Sequence, residues 1–420
     1  MYIKAIILIT TILNSFFVSA QEFKNPNDND FLLKLMQTRP EYFADVIENS
    51  EKYRLQIIYT QIDRDSNGTP HFTDYTYRLN DNEYYYCASM IKLPVILMTL
   101  EKLNRIEQIS KYNKVTFDGC GCQKGLYYDT TAAEDYESFN HLIKKALVLS
   151  NNDAFNRMYD FLGQKYANKR IWQLGFKKVR ILNRFVPCSA EENRLSCGIN
   201  FYTLDDELVY QEEETKSDTI ITGWHPKPYA GKGVWDSKTR TVSNSPKNFG
   251  NMNYINIQDL HKLLEMIFFP DVFPEKQRFD LTEDDYNTVR RYMGMLPRES
   301  KNPWYVPYDV YYDSYVKYYM LGNSTEKLPE NIRIFDKVGM SFGFMADVAY
   351  IVDYENNVEF FLSSVIYSNK DEIMNNDNYE YRQIALPFFE QLGFLILDYE
   401  KKREKEYLPD LIKFDYSSGD

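Results

Sequence analysis

The chain has 420 residues, of which 44% are hydrophobic and 16% aromatic. This length and composition exclude a disordered chain and allow two domains, or one large domain with a sizeable core. The formal net charge of −12 gives no support to a nucleic-acid partner, and we expect none.

The first residues, "MYIKAIILITTILNSFFVSAQEF", place one lysine before an apolar stretch at 5–18. Residues 18–20 fit a small-residue cleavage site, so we predict that residues 1–20 are a signal peptide. An uncleaved membrane anchor is the alternative, but the apolar run is short for a spanning helix. We therefore expect an exported protein, periplasmic or secreted, with no membrane span after signal cleavage.

A helical pattern at 30–49 is followed by two strand-like runs at 53–62 and 71–79. The intervening "DRDSNGTP" carries Asn-Gly turn chemistry, which predicts an antiparallel hairpin. Helical periodicity then returns, with polar residues at the helix entrances. The predicted helices of this middle part begin at Ser89 and lie at 138–163, which a polar sequence at 150–152 interrupts, and at 255–268 and 281–296.

Strands at both ends of the chain surround this helical middle. They predict an α/β (α+β) fold in which one antiparallel sheet is built from both chain ends and an all-helical domain is inserted. The C-terminal runs are strands at 332–340, 346–353 and 358–367 and a helix at 379–397, with Pro387 as a kink or a break. The predicted units are a sheet domain at 21–88 plus 331–400, a helical domain at 89–330 and a charged tail at 401–420.

Two stretches of the helical domain are predicted insertions, near 201–252 and 301–330. The first has the composition of a long polar loop. The second is densely aromatic at 302–321, which favours half-buried strand packing over a platform for a glycan or peptide. For the tail we expect a solvated helical extension.

The chain has five cysteines, and an odd number leaves one thiol free. Cys188 and Cys197 could close a short loop, whereas Cys120 and Cys122 are too weak a pattern for a metal site. The four histidines are widely scattered, so we expect no zinc or other metal, no cofactor and no Ser-His-Asp triad. They are His71, His141, His225 and His261.

The stretch "ASMIKLP" carries a serine and a lysine three residues apart, Ser89 and Lys92. Positions i and i+3 share one face of a helix, so the lysine amine would lie beside the serine hydroxyl. Taken alone, the pair fits a helix-capping serine and a lysine whose amine reaches solvent. The alternative is an activated nucleophile, since a serine hydroxyl needs an adjacent base to take its proton.

Two further motifs follow in order, "SNN" at 150–152 and "KVG" at 337–339. Together with Ser89 and Lys92 they resemble the S-x-x-K, S-D-N and K-T-G trio of class A β-lactamases and penicillin-binding proteins. The resemblance covers about 30–397, apart from the two insertions. The ordered trio favours a serine-hydrolase site over a capping serine.

The resemblance implies a role for each residue of the trio. Ser89 would be the nucleophile, Lys92 its general base and Ser150 a proton relay toward the leaving nitrogen. The backbone N–H groups of Ser89 and Met340 would form the oxyanion hole. Asn152, Lys337 and Gly339 would bind substrate. Asn152 would also orient Lys92, and Lys337 would be the second cation that lowers the pKa of Lys92.

Departures from the family pattern concern turnover and substrate. The family's Arg-x-Glu-Pro loop reads "RFVP" at 184–187, so Val186 replaces the carboxylate that would activate water for deacylation. Glu191 or Glu192 could substitute only if the loop folds differently. Val338 replaces a threonine whose hydroxyl would bind a substrate carboxylate, and the strand pair that follows it contains no Arg or Lys.

The sequence therefore predicts an exported serine hydrolase of the class A β-lactamase-like type. It would be acylated at Ser89 by an amide such as a β-lactam, with a small-molecule or peptide-like substrate and slow turnover. A peptidoglycan-directed carboxypeptidase or esterase is the alternative among enzymes. A non-catalytic relative that binds a ligand is the alternative from another class.

Overall fold

The computed structural model describes residues 29–416. The signal peptide expected at residues 1–20 lies outside the described residues. The described α-helices are α1 (Asn29–Gln37), α2 (Pro40–Glu48), α3 (Lys92–Asn104), α4 (Phe139–Val148), α5 (Asn152–Leu162), α6 (Gln164–Gln173), α7 (Ile257–Phe268), α8 (Glu283–Gly294) and α9 (Leu386–Lys402). The described strands are β1 (Gln56–Arg64), β2 (Pro70–Tyr77), β3 (Lys114–Phe117), β4 (Leu195–Ser196), β5 (Ile199–Tyr202), β6 (Leu208–Glu212), β7 (Thr215–Lys216), β8 (Tyr229–Ala230), β9 (Gly233–Asp236), β10 (Thr241–Ser243), β11 (Lys247–Asn248), β12 (Ile332–Ser341), β13 (Phe344–Asp353), β14 (Val358–Tyr367) and β15 (Ile373–Met374).

Strands from both ends of the chain form one five-stranded antiparallel sheet in the order β12-β13-β14-β1-β2. β1 and β2 form the hairpin that the sequence predicts, and Asp63 pairs with His71 near its turn. β14, the last strand of this sheet along the chain, pairs with β1, where Tyr59 lies opposite Leu362. This topology confirms the predicted fold class, while the domain boundaries stay a prediction.

Both faces of the sheet are covered, which explains the nearly continuous apolar sequence of β13 and β14. Side chains alternate along β1, so Ile57 and Ile58 enter different cores. Ile57 packs in the core formed with α1, α2 and α9, to which Phe388 contributes. Ile58 packs on the opposite face, in the core that includes α3, α4, α5 and α7. Burial of each such side chain contributes about 1.5–3 kcal/mol to stability.

The polar sequence at 150–152 separates two helices, as predicted. α4 begins after Ser138, whose hydroxyl accepts a backbone N–H of the first helical turn at 3.2 Å. α5 begins after Asn151, whose side-chain oxygen accepts the N–H of Ala154 at 2.8 Å. Between the helices Ser150 adopts a left-handed φ of 56°. Ser150 therefore projects from a tight turn and not from a helix.

The prediction of a long polar loop at 201–252 is wrong. This stretch contains most of the strands β5 to β11, which belong to small sheets: β3-β5-β6, β4-β7, β8-β11 and β9-β10, the last joined by β15. Very short strands with exposed side chains lack the alternating apolar pattern by which a strand is recognised. The Gly, Pro, Asn and Ser residues between them therefore led to the prediction of a loop.

The prediction of half-buried strand packing at 302–321 is also wrong. The structure has no strand in this segment, which contains only a short 3-10 turn at Asp313–Tyr315. Tyr319 is buried against Phe389 of α9, whereas Trp304 is 73% exposed. Two prolines in the segment withhold the backbone donors that a strand ladder needs.

The C-terminal tail is not a solvated helical extension. α9 ends at Lys402 and the chain then packs back onto the molecule, where Phe414 is buried beside Phe268 and Tyr350. Pro387 lies two residues after a π-helical turn at Tyr381–Ala385 that runs directly into α9, so the helical segment predicted at 379–397 changes its hydrogen-bonding pattern next to this proline. Pro387 therefore stands at the change from π-helix to α-helix and does not end the helical segment.

Two disulfides, Cys120–Cys197 and Cys122–Cys188, join distant parts of the chain. Cys188 and Cys197, which could have closed a short loop, do not pair with each other, because each takes a partner 66 or 77 residues earlier. Cys87 is the free thiol, and it is buried. Between residues 29 and 416, no helix combines the length and the apolar character that a bilayer crossing requires.

Candidate active site

Ser89 lies in a short 3-10 turn, Ala88–Ile91, that runs directly into α3 at Lys92. Ala88 holds a left-handed φ of 45°, which is uncommon for a residue with a Cβ. The side chain of Ser89 caps neither the turn nor the helix, so the capping interpretation is wrong. Ser89 is partly exposed, as a nucleophile that meets a substrate must be.

The side chain of Lys92 is completely buried and turned toward Ser89. Its Nζ lies 3.0 Å from Ser89 Oγ and 2.7 Å from Asn152 Oδ1. Burial, and after it the positive charge of Lys337, lower the pKa of Lys92 well below its usual value. Lys92 is therefore suited to accept a proton, and a lysine that reaches solvent is the wrong interpretation.

Ser150 lies between two lysine amines. Its Oγ is 3.2 Å from Lys92 Nζ and 3.0 Å from Lys337 Nζ, and its carbonyl oxygen also accepts a hydrogen bond from Lys92. Lys337 is only 1% exposed and donates to the carbonyl of Val338 at 2.8 Å. Burial lowers the pKa of Lys337 to about 7. The contacts form one continuous network from Ser89 to Lys337.

Gly339 allows β12 to approach the turn that carries Ser89. A Cβ at this glycine would lie 2.7 Å from the carbonyl oxygen of Cys87 and 2.8 Å from Cγ of Met90. No larger residue fits there unless the strand or the turn moves. Met340, the next residue, is half exposed. The structure thus places Gly339 against the turn that carries Ser89, and Met340 is the next residue of β12.

A buried acid pair lies on the other face of β12, and sequence reasoning missed it. Asp336 and Asp347 are both buried, and Lys317 forms an ion pair with Asp336. Burial raises the pKa of both carboxyls, that of Asp336 to about 6. Their negative charges oppose the effect of burial on the pKa of Lys337. An aspartate within each of two mainly apolar predicted strands was the available signal.

The loop at 184–187 covers the lysine amine with an aromatic ring. The ring centroid of Phe185 lies 5.1 Å from Lys92 Nζ, and the Phe185 N–H donates to Asn156 Oδ1 at 2.8 Å. Val186, at the position of the expected carboxylate, offers no titratable group. Phe185 contributes to the burial that lowers the pKa of Lys92, and sequence reasoning assigned it no role.

The two glutamates that follow this loop are held by other partners. Glu191 pairs with Arg194 and Lys216 at 2.9 Å each, and Glu192 accepts the N–H of Ser189 at 2.7 Å. These partners lower the pKa of both carboxyls. In the part of the chain that the structure describes, neither glutamate hydrogen-bonds to the serine–lysine network.

Comparison with known proteins identifies a family for this chain. Residues 39–282 match the model of the Beta-lactamase enzyme family. No curated protein matches the chain. Among solved structures, a β-lactamase from Desulfarculus baarsii is 13% identical, with 86% of this chain and 97% of that chain covered at a TM-score of 0.44. A β-lactamase from Burkholderia phymatum is 11% identical (87% and 98% covered, TM-score 0.46), and PBP-A is 12% identical (89% and 97% covered, TM-score 0.45).

The chain has the fold that the class A β-lactamase-like resemblance predicts, and its three motifs meet in the serine–lysine network. Because the matched residues make up more than half of the chain, this protein belongs to the Beta-lactamase enzyme family. The resemblance inferred from the three motifs is confirmed. The roles of the individual residues stay predictions.

Proposed function

We propose that this protein is an exported serine hydrolase whose Ser89 forms an acyl-enzyme with an amide substrate, a β-lactam or a related compound. One observation carries the proposal: the buried amine of Lys92, with its lowered pKa, lies 3.0 Å from Ser89 Oγ. An amine that is neutral at the working pH can accept the serine proton as the hydroxyl attacks.

Acylation requires one proton to leave the serine and one to reach the leaving group. Lys92 takes the proton of Ser89 as Oγ bonds to the carbonyl carbon of the substrate. The N–H groups of Ser89 and Met340 stabilise the resulting oxyanion. The Lys92 ammonium then returns the proton through the hydroxyl of Ser150 to the substrate nitrogen, and the C–N bond breaks. Lys337, 3.0 Å from Ser150 Oγ, holds that hydroxyl in place.

Asn152 and Lys337 favour a substrate that carries an amide and an anionic group. Lys92 Nζ donates a hydrogen bond to Asn152 Oδ1 at 2.7 Å. The NH₂ group of Asn152 is therefore left to donate to an acyl carbonyl of the substrate. Lys337 supplies positive charge to the same network. A β-lactam and the C-terminus of a peptide both offer these two groups.

The two disulfides, Cys120–Cys197 and Cys122–Cys188, support export. Disulfides form and persist in oxidising compartments such as the bacterial periplasm or the medium. They agree with the signal peptide expected at residues 1–20.

A peptidoglycan-directed carboxypeptidase or esterase is the second candidate, and the loop at 184–187 favours it. Val186 supplies no carboxylate to activate a deacylating water, and Glu191 and Glu192 are held by other partners. An enzyme that acylates readily but hydrolyses β-lactams slowly is better matched to a peptide or an ester. The two candidates share acylation at Ser89 and differ in the substrate that is released efficiently.

Labelling with a fluorescent penicillin tests the proposal. We expect a covalent fluorescent band with the unmodified protein and with Ser243→Ala, which changes an exposed serine of β10, and no band with Ser89→Ala. Hydrolysis of a penicillin, of a peptide ending in two D-alanines and of an ester then separates the two candidates. A folded protein that neither labels nor hydrolyses any of these contradicts both candidates and favours the non-catalytic relative.

A further inference from the structure

A second group of buried polar side chains lies where α7 packs on the sheet. One donor atom from each of Asp74, His261 and Glu265 lies within 4.8 Å of the other two. His261 and Glu265 are four residues apart on α7 and therefore share a helical face, while Asp74 belongs to β2. None of the three belongs to the network around Ser89.

Glu265 is the residue that points to a ligand. It is 7% exposed, and among the described residues its carboxylate accepts no hydrogen bond. Its Oε1 lies 3.7 Å from His261 Nε2, beyond hydrogen-bond reach. No Lys or Arg between residues 29 and 416 forms an ion pair with Glu265 or Asp74. Burial, and after it the negative charge of Asp74, raise the pKa of Glu265 well above its usual value. This carboxyl therefore ionises readily only beside a positive charge, and a cation between these groups would supply that charge.

Two other described groups bring similar donor atoms together, and both are already satisfied. In the first, the two sulfur atoms form a disulfide, so they cannot act as thiolate ligands; its residues are Cys120, Cys197 and Asp160. In the second, the ammonium of Lys145 contacts both carboxylates; its residues are Asp129, Glu137 and His141. The group at Glu265 has neither a disulfide nor an internal ammonium.

We propose that Asp74, His261 and Glu265 bind a divalent first-row transition-metal ion. One imidazole nitrogen and two carboxylate oxygens are donors that Zn²⁺ accepts, with water or a hydroxyl as the fourth ligand. Thr60 Oγ1 is 2.7 Å from His261 Nε2 and 2.5 Å from Asp74 Oδ1. When Nε2 binds the ion, the Thr60 hydroxyl would rotate away from this nitrogen and toward the ion. Ser363 Oγ lies 2.7 Å from Nδ1, where it fixes the orientation of the imidazole ring.

The position of the group suits a structural ion. Asp74 is partly exposed on the edge strand β2, which gives an ion a route from solvent. The bound ion would join α7 to the N-terminal hairpin and stabilise the folded chain by mass action. The sequence-based expectation of no metal considered the spacing of histidines, whereas this site needs one histidine and two carboxylates.

Zinc content and thermal unfolding of the tag-free protein test the proposal. After removal of metal with EDTA and dialysis against micromolar Zn²⁺, we expect about one zinc per chain. The unfolding temperature should rise with Zn²⁺ and fall again with EDTA. In Glu265→Gln, zinc affinity should drop by more than the roughly 10–100-fold that loss of an outer-shell partner costs. The matched control His71→Ala removes an exposed histidine of the same hairpin and should keep the zinc.

If Glu265→Gln does not fold, Asp74→Asn replaces it, because Asp74 is only partly buried. The zinc affinity of Asp74→Asn is then compared with that of the unmodified protein. The proposal is overturned if the unmodified protein binds none of Zn²⁺, Mn²⁺ and Co²⁺ at micromolar concentration. It is also overturned if zinc binds equally well to folded Glu265→Gln or Asp74→Asn. Labelling of Ser89 by the fluorescent penicillin should proceed in EDTA, which separates this site from the proposed function.

Discussion

Lys92 and Lys337 are buried lysines on either side of Ser150, and their burial is the physical source of the reactivity that we propose. An ammonium loses hydration when it is buried, and a second positive charge nearby adds repulsion, so the proton is held weakly. Phe185 excludes water from one side of Lys92. A buried lysine with a lowered pKa reduces the free energy of unfolding, but it can act as a base near neutral pH.

Replacement of Lys92 by arginine tests the role of the base. A guanidinium stays protonated and cannot accept the proton of Ser89, so we expect Lys92→Arg to slow acylation by about 10²–10⁴. The measurement is the rate constant of labelling by a fluorescent penicillin, with circular dichroism to show that the variant is folded. A folded arginine variant that is acylated at the normal rate excludes Lys92 as the base.

Replacement of Lys337 by methionine tests the lowered pKa through stability. The folded-state pKa of about 7 lies below the value of about 10.5 in the unfolded chain, so between these values the unfolded chain binds more protons. The stability of the unmodified protein, relative to Lys337→Met, should therefore rise with pH by about 2–3 kcal/mol from pH 6 to pH 9.

Chemical denaturation at the two pH values measures this difference. Lys34→Met is the matched control, because the side chain of Lys34 is 75% exposed, and it should show no such pH dependence. An equal stability difference between Lys337→Met and the unmodified protein at both pH values contradicts the lowered pKa.

The residues of the trio could be predicted because they stand in three motifs whose order and spacing resemble the family pattern. The need of a nucleophilic serine for an adjacent base explains the residue types, but it did not by itself identify Ser89, Lys92 or Lys337. Phe185 and Asp347 could not be predicted, because an aromatic ring or a buried carboxylate becomes significant only when packing places it beside a lysine. Glu265 was missed because only the fold brings it close to Asp74 and His261.

At the scale of elements, the contact between β12 and the serine turn depends on one glycine. Gly339→Ala would place a Cβ 2.7 Å from the carbonyl oxygen of Cys87, so the strand has to move away from the turn. We expect a destabilisation of about 1–3 kcal/mol and at least a tenfold slower acylation. Denaturant unfolding and the labelling rate measure the two effects.

Met340→Ala is the control for this variant. The side chain of Met340 is 50% exposed and only its backbone N–H is assigned a role, so both measurements should stay close to those of the unmodified protein. Normal labelling by Gly339→Ala would show that the close approach of strand and turn is not needed.

In the proposed mechanism, the loop at 184–187 determines how long the acyl-enzyme lasts. Without a positioned carboxylate, deacylation should be slower by about 10²–10⁴, so a penicillin should give a burst of about one product per enzyme and then a slow steady state. Val186→Glu should raise the steady-state rate relative to Val186→Gln, a side chain of similar size without the charge. Stopped-flow absorbance measures both phases.

Rapid turnover without a burst would contradict this prediction. Another group would then act as the base, and Glu191 and Glu192 are the first to test by substitution with glutamine. Their present partners, Lys216 and Ser189 among them, would have to release them.

Long elements with a clear period could be predicted, and short ones could not. The hairpin β1-β2, the helices around Ser150 and the strands β12 to β14 each carry a sustained apolar pattern. The strands within 201–252 are short and exposed, so nothing in their sequence separates them from turns. The segment at 302–321 has strand-like residues, but packing against α9 decides its conformation.

At the scale of the whole molecule, the sheet joins the two ends of the chain and places the site between sheet and helices. The sheet contributes Lys337, the 3-10 turn contributes Ser89 and the α4–α5 turn contributes Ser150. This arrangement followed from the order of strands and helices in the sequence. The disulfide pairing did not, because four cysteines allow several pairings and only the fold selects one.

Peptide mass mapping after incubation with a penicillin is the most direct test of an acylated serine. Opening of the β-lactam ring leaves the nitrogen attached, so we expect the peptide containing Ser89 to gain the mass of one whole penicillin. Ser89→Ala should gain nothing and should unfold within about 1 kcal/mol of the unmodified protein, because this serine caps no helix. An adduct on another residue, or an adduct that persists in Ser89→Ala, would contradict acylation at Ser89.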